Sequence, residues 1–131
     1  MTPGNAPPPR PTDAELEILR VLWDRGEATV REVQETVERR RPAGYTTVLK
    51  LLQIMTEKGL VERNESERAH VYRARRQRQE TEKQLVGDLL ERAFGGSSSR
   101  LVLQALATKT ASPEEIAEIR EFLDRVPGGD R

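Results

Sequence analysis

Thr46, Thr47, Lys50 and Gln53 stand opposite Val48, Leu51, Leu52 and Met55 in one continuous segment. The apolar set falls at i, i+3, i+4 and i+7, the spacing of one stripe on a 3.6-residue helix. The polar set then faces outward and presents two hydroxyls with their methyls, an ammonium and a carboxamide. Such groups make hydrogen bonds and charge contacts. The edges of base pairs in a DNA major groove, with their donors, acceptors and thymine methyl, are a surface that matches them. Thr46 serves either a base edge or the helix cap. Tyr45, just before, either sets its hydroxyl on the nucleic-acid backbone or packs beneath the preceding helix.

Arginines flank this segment on both sides: Arg39, Arg40 and Arg41 before it, Arg63, Arg68 and Arg73 after it. The whole chain has no net charge, but the charge is unevenly spread. Residues 39–78 hold 11 basic and 4 acidic side chains, net +7, between blocks of net −4 and −3. Basic side chains clustered around an exposed polar helix are suited to phosphates, which fix position without reading sequence. The plain alternative is a set of solvated side chains, with Arg73 paired inside its own hairpin.

Catalytic chemistry has little to work with. His70 is the only histidine and there is no cysteine, so neither a multi-histidine nor a thiolate metal site is available. His70 lies in an expected strand, where a hydrogen-bonded structural imidazole is the natural reading. Glu114, Glu115 and Glu118 cluster at a helix start, where the helix dipole accounts for them. Ser97, Ser98 and Ser99 have no neighbouring general base, and Trp23 belongs to an apolar face. No enzyme and no cofactor is expected. The N-terminus lacks the layout of a secretory signal, and no apolar run approaches the ~20 residues of a membrane span. These features imply a cytoplasmic protein without membrane insertion.

The elements that hold these side chains follow from local signals. Thr12 with Glu15 and Thr29 with Glu32 are capping boxes that open two helices, ended by Gly26 and by Arg41-Pro42. Gly44 caps the helix that carries Thr46, and Gly59 closes it. Leu60–Arg63 and Ala69–Arg73 alternate as strands around a polar turn. Further helices run over Gln79–Phe94 and Arg100–Thr108 and from Ser112 to about Val126. The order predicts a mainly α fold. An N-terminal winged helix, with three helices and a two- or three-stranded wing, precedes a three-helix C-terminal dimerisation region. Expected boundaries are a disordered tail over 1–11, the winged helix over 12–75 and the helical region over 76–127.

The last three helices are too short to fold well alone. Leu85, Leu89, Phe94, Leu101, Leu103, Leu106, Ile116, Ile119, Phe122 and Leu123 are expected to pair with the same stripes of a second copy. Folding back on the winged helix is the alternative. A twofold dimer suits a palindromic DNA site.

Thr12-Asp13-Ala14-Glu15-Leu16-Glu17-Ile18-Leu19, Trp23, Tyr45-Thr46-Thr47-Val48, Glu57-Lys58-Gly59-Leu60-Val61 and His70-Val71-Tyr72 together resemble the penicillinase-repressor family of BlaI/MecI/CopY type. The resemblance spans about residues 10–126. It implies a homodimeric transcriptional repressor on a double-stranded DNA operator, in an antibiotic-response setting. It also implies relief by proteolysis in the dimerisation region, with a membrane sensor protease as partner. The bond that aligns with the cut is Gln104–Ala105, where the best-known members have Asn–Phe. The cysteine-rich copper-sensing branch does not fit a chain without cysteine. The rival to the repressor reading is a winged-helix protein-interaction module without sequence-specific DNA binding. A small-molecule sensor is a third, for which no polar pocket cluster is visible.

Overall fold

Reciprocal hydrogen bonds at three threonine or serine caps set where helices begin. The computed structural model describes residues 9–66 and 68–127. Residues 1–8 of the expected tail and Glu67 of the expected turn lie outside the described residues. Helix α1 (Asp13–Arg25) opens with the Glu15 N–H donating to Thr12 Oγ1 at 3.2 Å and the Thr12 N–H donating to Glu15 Oε1 at 3.0 Å. Thr29 and Glu32 repeat the arrangement before α2 (Val30–Glu38), as Ser112 and Glu115 do before α6 (Pro113–Arg125). Helix α3 (Tyr45–Lys58) closes on Gly59 at φ 81°, the left-handed conformation in which glycine carries no Cβ penalty.

Three short strands complete the first part of the chain: β1 (Ala28–Thr29), β2 (Val61–Asn64) and β3 (Val71–Ala74). They form one antiparallel sheet in the order β1-β3-β2, with Ala28 opposite Tyr72 and Glu62 opposite Arg73. Strand β1 has only two residues and is not signalled by alternation. It exists because it pairs with β3, more than forty residues away in sequence. The strands begin one residue later at β2 and two later at β3 than alternation suggests. His70 consequently lies outside β3, exposed to solvent, and the expectation of a strand histidine is corrected.

The chain forms two compact units, one up to Val86 and one from Gly87. In the first, Ile18, Leu19 and Leu22 of α1 meet Val33 and Val37 of α2, Val48, Leu52 and Met55 of α3, and Val61 and Tyr72 of the sheet. Each fully buried side chain of this size contributes roughly 1.5–3 kcal/mol. Trp23 and Leu51, expected inside, are half-buried and pack against this core.

The second unit comprises the later part of α4 (Arg78–Phe94), α5 (Ser98–Thr108) and α6. No described side chain of α5 or α6 is buried. Leu103 is 64% exposed, and Phe122, Leu123 and Leu89 are also open to solvent. Leu101, Leu106, Ile116 and Ile119 are half-buried, as are Leu85 and Phe94 of α4. A cavity of about 650 Å³ runs between α5 and α6, walled by Leu106, Ile119 and Phe122.

Candidate nucleic-acid interface

The start of α3 differs from those of α1, α2, α5 and α6 in one respect. Its N-cap is Gly44, which has no side chain to accept from the first-turn N–H groups. Helices α1, α2 and α6 satisfy those donors with a capping box. The first turn of α3 therefore presents unsatisfied backbone donors and the positive end of the helix dipole. Thr46, Thr47, Lys50 and Gln53 are all exposed, and Thr46, Lys50 and Gln53 form one strip at i, i+4 and i+7. The strip ends at Glu57, also exposed, so the acceptable surface for an anion is confined to the first half of the helix.

Tyr45 is 44% exposed rather than packed beneath α2. Its ring is covered from one side by the Arg31 guanidinium, 5.4 Å from the ring centroid. Arg31 projects from the first turn of α2, so its contact with Tyr45 joins the start of α3 to the start of α2. Sequence reasoning does not find Arg31, because its role depends on how α2 and α3 pack.

The turn between α2 and α3 is held by Gln34, whose Nε2 donates to the Ala43 carbonyl at 2.9 Å and to the Glu38 carboxylate. The i, i+4 spacing of Gln34 and Glu38 is the one signal that points to it. The three arginines of that turn are not equivalent. Arg41 is held by Glu17 of α1, with Nη2 at 2.7 Å and Nε at 2.8 Å from the same oxygen. Arg39 and Arg40 are exposed and make no ion pair among the described residues.

The wing is also divided. Arg73 faces Glu62 across the sheet at 3.5 Å, and Arg75 approaches the same carboxylate at 3.8 Å. Arg63 pairs with Glu65. That carboxylate, and then the Tyr72 hydroxyl, hold the Arg63 guanidinium above its ordinary pKa, against a small opposing effect of burial. Arg68, at the tip, is exposed and has no ion pair among the described residues. Of the cations expected at the interface, Lys50, Arg39, Arg40 and Arg68 are open, while Arg41, Arg63 and Arg73 already face carboxylates.

The sequence profile of the penicillinase repressor family matches residues 11–125, nearly all of the described chain. The chain belongs to the penicillinase repressor family. A relative named transcriptional regulator BlaI, from Mycobacterium tuberculosis, is 33% identical over 118 residues, spanning 89% of this chain and 85% of its own. The penicillinase repressor of Bacillus licheniformis is 25% identical over 116 residues, covering 88% and 91% of the two chains. The solution structure of the DNA-binding domain of the repressor BlaI aligns over 55% of this chain and 88% of that one, with 24% identity and a TM-score of 0.49. The matched stretch of this penicillinase-repressor family chain takes in both compact units. Among the described residues, no helix is long and apolar enough to cross a membrane.

Proposed function

We propose that this chain is a homodimeric transcriptional repressor that blocks a promoter by holding a palindromic operator. One observation carries the reading: the uncapped start of α3 presents Thr46, Lys50 and Gln53 as an exposed strip inside the net +7 segment. The first half of α3 enters the major groove and reads base edges with those side chains and Thr47. Tyr45, Arg39, Arg40 and Arg68 meet phosphates on either side. Arg41, Arg63 and Arg73 join them to the extent that phosphates displace their carboxylate partners.

The second copy is supported by the unburied α5 and α6. Leu103, Phe122 and Leu123 leave apolar surface that a monomer exposes without return. Pairing those faces across a twofold axis covers the surface and presents two reading heads to an inverted repeat. Relief of repression is assigned to a cut at Gln104–Ala105 by a membrane sensor protease, with the repressor in the cytoplasm. The basic segment favours DNA over a protein partner, because a protein-interaction module has no use for net +7 at this face.

Selection from a pooled oligonucleotide library, followed by salt titration on the selected site, tests the reading. The expected outcome is an inverted repeat, with log K falling by about 0.9 per unit of log salt for each phosphate neutralised. Failure to enrich any motif, with weak binding at modest salt, would give the surface to a protein partner instead.

A further inference from the structure

Arg31 is a cation that the fold brings to the interface from outside the basic segment. It belongs to residues 1–38, the block of net −4, and not to the net +7 block at 39–78. The packing of α2 on α3 nevertheless sets its guanidinium 5.4 Å from the ring centroid of Tyr45, the first residue of α3. Both side chains are exposed, so the pair lies open to solvent on the face that carries Thr46 and Lys50. Neither belongs to the core of this unit or to the half-buried residues packed on that core.

Arg31 is set apart by what it lacks. Arg25, Arg41, Arg63, Arg73 and Arg78 each face a carboxylate. Arg31 has no ion pair among the described residues, and none of its N–H donors meets an acceptor there. The adjacent Glu32 is taken by Arg25 at 3.1 Å, and Glu35, one turn along α2, makes no ion pair among the described residues. The ring attracts the charge of the guanidinium without using its five donors. A planar fork with every donor unspent is the group that binds a phosphate through two parallel hydrogen bonds.

The ring also lowers the cost of that contact. A free arginine side chain gives up rotamer freedom when it grips a phosphate. Arg31 is already restricted by Tyr45 before any duplex arrives, and a group ordered in advance loses less on binding. Its place on the helix agrees. In a helix-turn-helix the helix before the reading helix crosses the backbone, and Arg31 stands in the first turn of α2.

We propose that Arg31 is a further DNA-binding residue that holds an operator phosphate from α2, with the Tyr45 ring as its seat. The proposal rests on the DNA-binding reading above and adds to it. Tyr45 then acts twice, through its hydroxyl on the backbone and through its ring on Arg31.

The test is a salt titration of the full chain on the selected operator and on a random duplex, read by fluorescence anisotropy. Thermal melting establishes that each variant is folded at the assay temperature. Arg31→Ala should lower the slope of log K against log salt by about one on both duplexes. In the Tyr45→Phe background, where the ring remains, Arg31→Ala should cost as much affinity as in the wild type. In the Tyr45→Ala background, where the ring is gone, it should cost markedly less. Tyr45→Leu takes the place of Tyr45→Ala if that variant unfolds. A slope unchanged in Arg31→Ala, on a chain whose wild type binds DNA, overturns the proposal alone. So does a loss confined to the operator, which would make Arg31 a reader of bases. An equal loss with and without the ring would overturn the role of Tyr45 as seat. A wild type that binds neither duplex in a salt-dependent way overturns the DNA-binding reading and this one with it.

Discussion

Lys58 donates to the buried carboxylate of Glu15 at 2.7 Å, so the last turn of α3 is fastened to the first turn of α1. Glu15 is 2% exposed, and its other oxygen accepts from the Thr12 N–H, which makes one side chain both helix cap and interhelical tie. Burial by itself pushes the Glu15 pKa up. The Lys58 hydrogen bond, the Thr12 backbone donor and the Lys58 charge outweigh it, and the net shift is downward. A lowered folded-state pKa means that the stabilisation is complete above the ordinary glutamate range. It is lost as pH falls through the lowered value. Glu15→Gln should therefore cost about 1–3 kcal/mol at neutral pH, since it strips the charge from a buried acceptor. Thermal unfolding of both proteins at neutral pH and near pH ~3 checks this, and the gap should narrow in acid. An equal gap at both values would mean that the charge on Glu15 contributes nothing.

Lys50 and Arg68 are assigned different tasks, and a pair of substitutions separates them. Lys50→Ala should weaken operator binding by about 1–3 kcal/mol and leave binding to random DNA nearly unchanged. Arg68→Ala should weaken both alike and lower the salt slope by about one. Fluorescence anisotropy on the two duplexes at several salt concentrations gives both quantities. Loss of only the operator affinity in Arg68→Ala would move that residue from phosphate to base.

The adjacent arginines of the α2–α3 turn should diverge in the same titration. Arg40 is open and Arg41 is gripped by Glu17 through two nitrogens. Arg40→Ala should reduce the salt slope by about one and Arg41→Ala by much less. Glu17→Gln, by releasing Arg41, should raise affinity for any duplex. Equal slopes for the two alanine variants would show that phosphates strip Arg41 from Glu17 on binding.

Much of this arrangement is legible in the sequence because it is local. Thr12 with Glu15 and Thr29 with Glu32 are readable three residues apart, and each forms the expected reciprocal pair; Ser112 and Glu115 form a third. Gly59 stops α3 for a reason internal to the backbone. What is not legible depends on distant partners. Nothing near Ala28 announces a strand, because β1 is made by β3. The run Arg39-Arg40-Arg41 reads as three like cations, and only the packing of α1 on α2 shows that Glu17 has claimed one of them. Trp23 reads as a core residue, yet its indole N–H is committed to a carbonyl 53 positions away.

Phe122 is 57% exposed on α6 beside the cavity shared with α5, where a second copy of the chain would cover it. Phe122→Asp places a charge on that surface and should shift sedimentation toward monomer at micromolar concentration. The winged-helix unit has its own core and should melt as before. Operator affinity should fall while half-site affinity holds, because tethering of the two heads is lost. A variant that stays dimeric would place the interface elsewhere on the second unit.

The Gln104–Ala105 bond lies inside α5, and Thr108 Oγ1 donates to the Gln104 carbonyl at 2.7 Å. A protease that takes an extended chain cannot act on this peptide until the helix opens locally. Helix α5 has 11 residues and no buried side chain, so in a lone chain opening is cheap. In the proposed dimer the facing chain would cover α5, and the cost of opening would include the loss of that contact. Cleavage within 101–108 by a broad-specificity protease should therefore slow as protein concentration rises through the dimerisation range, and speed up in Phe122→Asp. Mass spectrometry of timed digests reads the rate directly. A rate that ignores both concentration and the Phe122 substitution would mean that dimerisation does not guard this bond, and that any control of cleavage lies with the protease.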